Sequence, residues 1–188
     1  MNKIAPLICA IVVCGCSDRN NNISNITATN TGGVIVFCDS MGVGTEENTS
    51  WIKRFEDMAG VNTSSNCVGG SGLVDHDIQA EIGSGGYHYG VLALGINDIN
   101  KGIHIDTVVA NYRDALMLID GNDIIPACFT YPSNGYNTVE FNYRIEELCD
   151  SYGYRIVRGS DQIGDYIHFN SAGRTETAVN AWRTLYPE

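Results

Sequence analysis

Five short apolar runs alternate with segments of helical periodicity, and this alternation constrains the fold more than any other feature. Val34-Ile35-Val36-Phe37-Cys38 is an unbroken apolar run, the pattern of a strand covered on both faces. Tyr89-Gly90-Val91-Leu92-Ala93-Leu94 and Ile124-Ile125-Pro126-Ala127-Cys128-Phe129 read the same way, with Pro126 predicting an edge-like or irregular start. Tyr154 to Val157 is a further strand, and Val61 to Asn66 a fainter one. Between them, Trp51, Phe55 and Met58 recur at helical spacing after Ser50, a cap residue. Leu73 to Ile82 predicts a short helix. Val108, Tyr112, Ala115, Leu116 and Ile119 share one helical face. Phe141, Ile145, Leu148 and Cys149 share another, and Ala178, Trp182 and Leu185 line the last helix, introduced by Asn170-Ser171. Strands alternating with helices predict an α/β domain with a five-stranded parallel sheet covered on both faces. Ligands of such sheets bind beyond the carboxyl ends of the strands. Chemistry is therefore expected in the loops after Cys38, Asn66, Leu94 and Phe129.

That pattern occupies residues 33–188 of a 188-residue chain, and what precedes it reads differently. Lys3 is followed by Ile4 to Val13 without a charge, a signal segment over residues 1–15 that is too short to span a bilayer. Its end, Val13-Cys14-Gly15-Cys16, resembles a bacterial lipoprotein box and makes Cys16 the candidate for lipidation. Residues 16–32 are rich in Asn, Ser and Thr and read as a flexible tether. The expected address is export, to the cell envelope or beyond, with membrane attachment only through that lipid. With 11 Lys and Arg against 22 Asp and Glu, the net charge is -11, which excludes nucleic acid as a partner. Four cysteines lie in the domain: Cys38, Cys67, Cys128 and Cys149. No Cys-x-x-Cys pair suggests zinc, so they are disulfide-bonded or buried free thiols.

The predicted loops carry chemistry-bearing residues in a set order. Asp39-Ser40-Met41-Gly42 follows the first strand, and Asn66-Cys67-Val68-Gly69-Gly70-Ser71-Gly72 the second. Gly95-Ile96-Asn97-Asp98 follows the third, and Asp165-Tyr166-Ile167-His168-Phe169-Asn170 precedes the last helix. Singly, each has a structural explanation: Asp39-Ser40 as a turn, Asn97-Asp98 as a helix cap, the glycines as loop residues. Together, and in this order, they resemble the four blocks of the SGNH (GDSL-type) hydrolases over residues 33–188.

The resemblance implies a flavodoxin-like three-layer sandwich and serine chemistry without a cofactor or metal. Ser40 would be the nucleophile, His168 its base and later the acid, and Asp165 the group fixing the His168 tautomer. The Ser40 amide, the Gly70 amide and the Asn97 side chain would form the oxyanion hole. Strands one and two are neighbours in this family, so the resemblance implies a Cys38–Cys67 disulfide and, from the same topology, Cys128–Cys149. Two departures stand out: Cys38 replaces the usual Gly of the first block, and Phe169 replaces the Pro that often follows the catalytic His. The α/β-hydrolase elbow is excluded, because it needs Gly two residues before the serine. His76, between Asp75 and Asp77, suggests a metal ligand, but a solvated helix face is the expectation.

The family includes esterases, thioesterases, lysophospholipases and carbohydrate O-deacetylases. Small size and the expected address favour a short-chain acyl ester, acetyl above all, on a glycan or another small molecule. Tyr131 to Tyr136, and Gly83 to Gly86 with Tyr87 and Tyr89, are the candidate aromatic rim. The alternatives are a lysophospholipase or thioesterase acting on longer chains, and a non-catalytic, surface-anchored binding or structural protein on the same fold.

Overall fold

Val34 to Cys38, the most apolar stretch of the domain, is wholly buried and forms the strand around which the sheet is arranged. The computed structural model describes residues 32–43 and 50–187. The expected signal segment, Cys16 and the tether up to residue 31 lie outside the described residues. Five strands are parallel: β1 (Gly33–Cys38), β2 (Thr63–Cys67), β3 (Tyr87–Ala93), β4 (Ile125–Thr130) and β5 (Arg155–Arg158). They lie in the order β2-β1-β3-β4-β5. Helices cover both sides, as the alternation requires. α1 (Trp51–Ala59) packs on α6 (Ser171–Leu185). α2 (Ile78–Ile82) and α5 (Thr138–Tyr152) pack against α4 (Ile105–Gly121), and α3 (Ile96–Asn100) follows β3 directly.

The face predicted for α4 is the one that is buried, Val108, Tyr112, Ala115, Leu116 and Ile119. β2 reads weakly because it is a polar edge strand, Thr63-Ser64-Ser65-Asn66-Cys67, held by its pairing with β1 rather than by burial.

Two local expectations are corrected. Leu73 to Ile82 is not one helix: a 3₁₀ turn at Leu73–Asp75 is separated from α2 by Asp77, which accepts from the Ala80 amide at 3.1 Å. An Asx cap starts a helix, so Asp77 divides the stretch. Met58 is exposed, because the buried face of α1 centres on Ile52 and Phe55 and the helix ends one turn later at left-handed Gly60. β4 is an interior strand with the edge-like start that Pro126 predicts. The proline is its second residue, paired with Gly90 of β3, and β4 pairs with β5 only from Ala127 onward.

Where β3 and β4 part, a side chain completes the sheet. Their ladder ends at Leu92 and Cys128, and beyond it the buried Tyr112 hydroxyl donates to the Leu92 carbonyl and accepts from the Phe129 amide at 3.1 Å. Burial pushes this phenol above its ordinary pKa, which keeps it a donor. Tyr112→Phe leaves a buried carbonyl and a buried amide without this partner and should cost about 2 kcal/mol of unfolding free energy. Urea denaturation measures it; a loss below roughly 0.5 kcal/mol contradicts the bridging role.

Candidate active site

The strand order reverses direction at β1 and β3, which opens a crevice beyond their carboxyl ends. The chain leaving β1 is turned sharply there: the Asp39 carboxylate accepts from the Met41 amide at 2.8 Å, and the Asp39 carbonyl accepts from the Gly42 amide at 3.1 Å. Ser40 sits on this turn, only part-buried. The turn packs against the disulfide formed by Cys38 and Cys67, which face each other across β1 and β2 with Cα atoms 4.4 Å apart. A Cβ on Gly42 would collide with both sulfurs, so the disulfide requires glycine at this position. A second disulfide joins Cys128 of β4 to Cys149 of α5.

Opposite the turn stands the loop before α6. His168 Nε2 lies 2.9 Å from Ser40 Oγ, and His168 Nδ1 lies 2.8 Å from Asp165 Oδ2. Asp165 also accepts, through Oδ1, from the Ile167 amide at 3.0 Å and the His168 amide at 2.8 Å. Those two amides and the imidazole hold its pKa down to about 2, so it is ionised wherever the protein is folded near neutrality. An ionised Asp165 accepts a hydrogen bond from Nδ1–H and so leaves Nε2 as the acceptor facing the serine hydroxyl. Phe169, in place of proline, is buried edge-on against Phe129 and anchors the loop to the core. Asn170 then caps α6 by accepting from the Gly173 amide at 2.9 Å.

The third group of residues stands on the other side of Ser40. Gly70 lies in the loop after β2 with a left-handed φ of 75°, and Asn97 lies in the first turn of α3. Among the described residues neither the Ser40 nor the Gly70 amide has a hydrogen-bond partner. Asn97 is different, because both of its amide protons are engaged. Nδ2 donates to Asp39 Oδ2 at 3.1 Å and to the Ser71 carbonyl at 3.0 Å. The structure thus brings together all five residues singled out in the sequence, Ser40, Gly70, Asn97, Asp165 and His168. Ser40, Asp165 and His168 border a cleft of about 440 Å³ whose walls include Met41, Val43 and Gly69, the residue before Gly70.

Two contributors escaped the sequence. Tyr131, expected on an aromatic rim, is a core residue whose hydroxyl donates to Asp39 Oδ2 at 3.0 Å. Its position at the end of an apolar strand, facing the interior, was the available signal. His76, expected on a solvated face, has a side chain only 2% exposed. It bridges Ser71 and Glu81, because the break at Asp77 turns it inward instead of out along a helix.

The architecture is shared with solved structures. A member of the lipolytic G-D-S-L family from Veillonella parvula superposes with a TM-score of 0.70 at 17% identity, over 83% of this chain and 99% of that one. The fold is that of the SGNH hydrolases. Axe2, an acetylxylan esterase from Geobacillus stearothermophilus, matches with a TM-score of 0.67 at 12% identity, over 84% of this chain and 96% of its own. The psychrotrophic esterase EstA from a Pseudoalteromonas species matches at 0.64 and 14%, over 82% and 96%. The sequence itself matches no family model and no curated protein.

Within this SGNH fold, burial raises the pKa of Asp39 from 3.8 to about 6, against the opposing pull of its bonds to the Met41 amide and Tyr131. A carboxyl whose folded pKa is raised stabilises the protein below its unfolded pKa, and that stability is lost as pH rises through the folded value. Compared with Asp39→Asn, the wild type should therefore lose roughly 3 kcal/mol of relative stability between about pH 4 and pH 6. Urea melts of both proteins across that range measure it. Parallel stability profiles would show that Asp39 does not carry the raised pKa.

Proposed function

We propose that the chain is an SGNH-type serine esterase in which Ser40 is the nucleophile. The Ser40–His168–Asp165 hydrogen-bonded chain, with contacts of 2.9 and 2.8 Å at the crevice of this fold, carries the reading. His168 Nε2 takes the Ser40 proton as Oγ attacks the ester carbonyl. The Ser40 and Gly70 amides and the Asn97 side chain meet the oxyanion. His168 then protonates the departing alkoxide, which leaves the acyl group on Ser40. Water enters, gives its proton to His168, and releases the acid as Ser40 recovers its own. Every step moves one proton along one line of residues, and none needs a metal or cofactor.

The substrate we infer is a short acyl ester, acetyl above all, on a glycan. The cleft is open, with the Asp165 and His168 side chains 53% and 44% exposed, and its volume suits a small acyl group better than a long chain. Tyr136 and Tyr166, 66% and 86% exposed, stand on loops joined by a hydrogen bond from the Tyr136 amide to the Tyr166 carbonyl. Tyr166 follows Asp165 directly in the chain, and we infer that the two exposed rings offer an aromatic surface for a sugar near the cleft. The acetylxylan esterase among the structural neighbours supports the same class. Two disulfides accord with an exported protein working in an oxidising compartment, held there by a lipid on Cys16.

The test is hydrolysis of p-nitrophenyl acetate, butyrate and octanoate by the exported protein and by Ser40→Ala. Acetate should be turned over fastest, and Ser40→Ala should lower kcat by at least about 1,000-fold. A preference for octanoate overturns the short-acyl assignment. Folded protein without Ser40-dependent hydrolysis of any ester overturns the esterase.

A further inference from the structure

Two of the three expected oxyanion donors depend on Ser71. Its carbonyl holds one amide proton of Asn97, and its backbone nitrogen follows Gly70 directly and donates to the Val68 carbonyl at 3.1 Å. Ser71 is itself buried, and its hydroxyl donates to the Val68 carbonyl at 2.8 Å. That uses the one proton a serine hydroxyl carries. His76 Nε2 lies 2.9 Å from the same oxygen, so the ring and the Val68 carbonyl together hold the Ser71 hydroxyl. His76 Nδ1 faces the Glu81 carboxylate, 3.0 Å from Oε1 and 3.2 Å from Oε2, and a carboxylate only accepts, so Nδ1 is the donor there. The neighbouring amides are fastened as well: Gly72 donates to Asp75 at 2.8 Å and Leu73 to Asp98 at 2.7 Å. His76 is the side chain that holds the Ser71 hydroxyl, beside the Val68 carbonyl.

This constellation copies the outline of a serine–histidine–carboxylate triad, but it is not a second catalytic centre. Ser71 is buried, so its hydroxyl has no access to an ester. What it can do is hold the loop.

We propose that Glu81, His76 and Ser71 form a positioning relay that sets the oxyanion hole, with His76 acting on catalysis through Ser71 and Asn97. The relay rests on the esterase reading above and adds to it residues that never touch the substrate. Glu81 orients the ring, the ring anchors the Ser71 hydroxyl, and the Ser71 carbonyl with Asp39 fixes the plane of the Asn97 amide. A preorganised donor is worth more than one that must reorient as charge develops.

A double-mutant cycle tests this with p-nitrophenyl acetate, pairing His76→Gln with Asn97→Ala, with Glu81→Gln as the milder second probe and thermal melts as a control for folding. His76→Gln alone should lower kcat about 10- to 100-fold with KM within about twofold, since a donor is misplaced rather than removed. In the Asn97→Ala background the same change should cost no more than about threefold, because the group it acts through is gone. Glu81→Gln should show the same pattern with a smaller drop. Equal losses in both backgrounds, or an unchanged kcat in folded His76→Gln, overturn the relay while leaving the esterase standing. Wild-type protein without Ser40-dependent hydrolysis removes both.

Discussion

One buried carboxylate ties the site to the sheet. Asp39 follows the central strand β1, and its two oxygens receive the Met41 amide, the Asn97 side chain and the Tyr131 hydroxyl. Those donors come from the turn that carries Ser40, from α3 beyond β3, and from the end of β4. The placement of Ser40, the orientation of Asn97 and the packing of a core tyrosine therefore share a single acceptor. Burying a carboxylate is costly unless donors surround it, and the pKa of about 6 records a balance in which burial still prevails. The pairing partners of β1 follow from the same logic. β2 and β3 flank it, so the loops that leave all three converge on Ser40.

The contrast between the two sides of Ser40 is instructive. On the His168 side the geometry is local: Asp165 and His168 lie three residues apart, and the loop amides that donate to Asp165 set their relative positions. On the oxyanion side it is assembled from afar, with Asn97 and Asp39 separated by 58 positions and the loop between β2 and α2 held by Asp75, Asp98 and the His76 relay. A site of this kind keeps its acid–base partners in one rigid turn and spreads its electrostatic donors across the switch point. The Cys38–Cys67 disulfide supports both, since it clamps β1 to β2 directly beneath the turn that carries Ser40.

Much of this was legible in the sequence. Apolar runs and helical faces are periodic signals, so the sheet, the α4 face and the ends of the strands could be read from residues alone. The site residues could be placed because they lie at those ends in a set order. Tyr131 and His76 could not. Each is polar at one end and apolar in bulk, and whether it faces core or solvent depends on a tertiary partner tens of residues away or on a chain break. Asp39 buries Tyr131, and the division of Leu73–Ile82 by Asp77 turns His76 inward. Pro126, by contrast, marked the one-sided start of β4 correctly, since β5 joins the ladder only from Ala127.

The account stands or falls on Ser40 being activated by His168. Its most direct measurement is covalent labelling with a p-nitrophenyl alkylphosphonate, followed by intact-mass analysis and peptide mapping. Phosphorus is attacked as the ester carbonyl would be, with p-nitrophenolate as leaving group. The account predicts one adduct per chain, on Ser40, formed at least about 100-fold more slowly in His168→Ala. An adduct on another residue, or labelling of Ser40 at the same rate without His168, would contradict it.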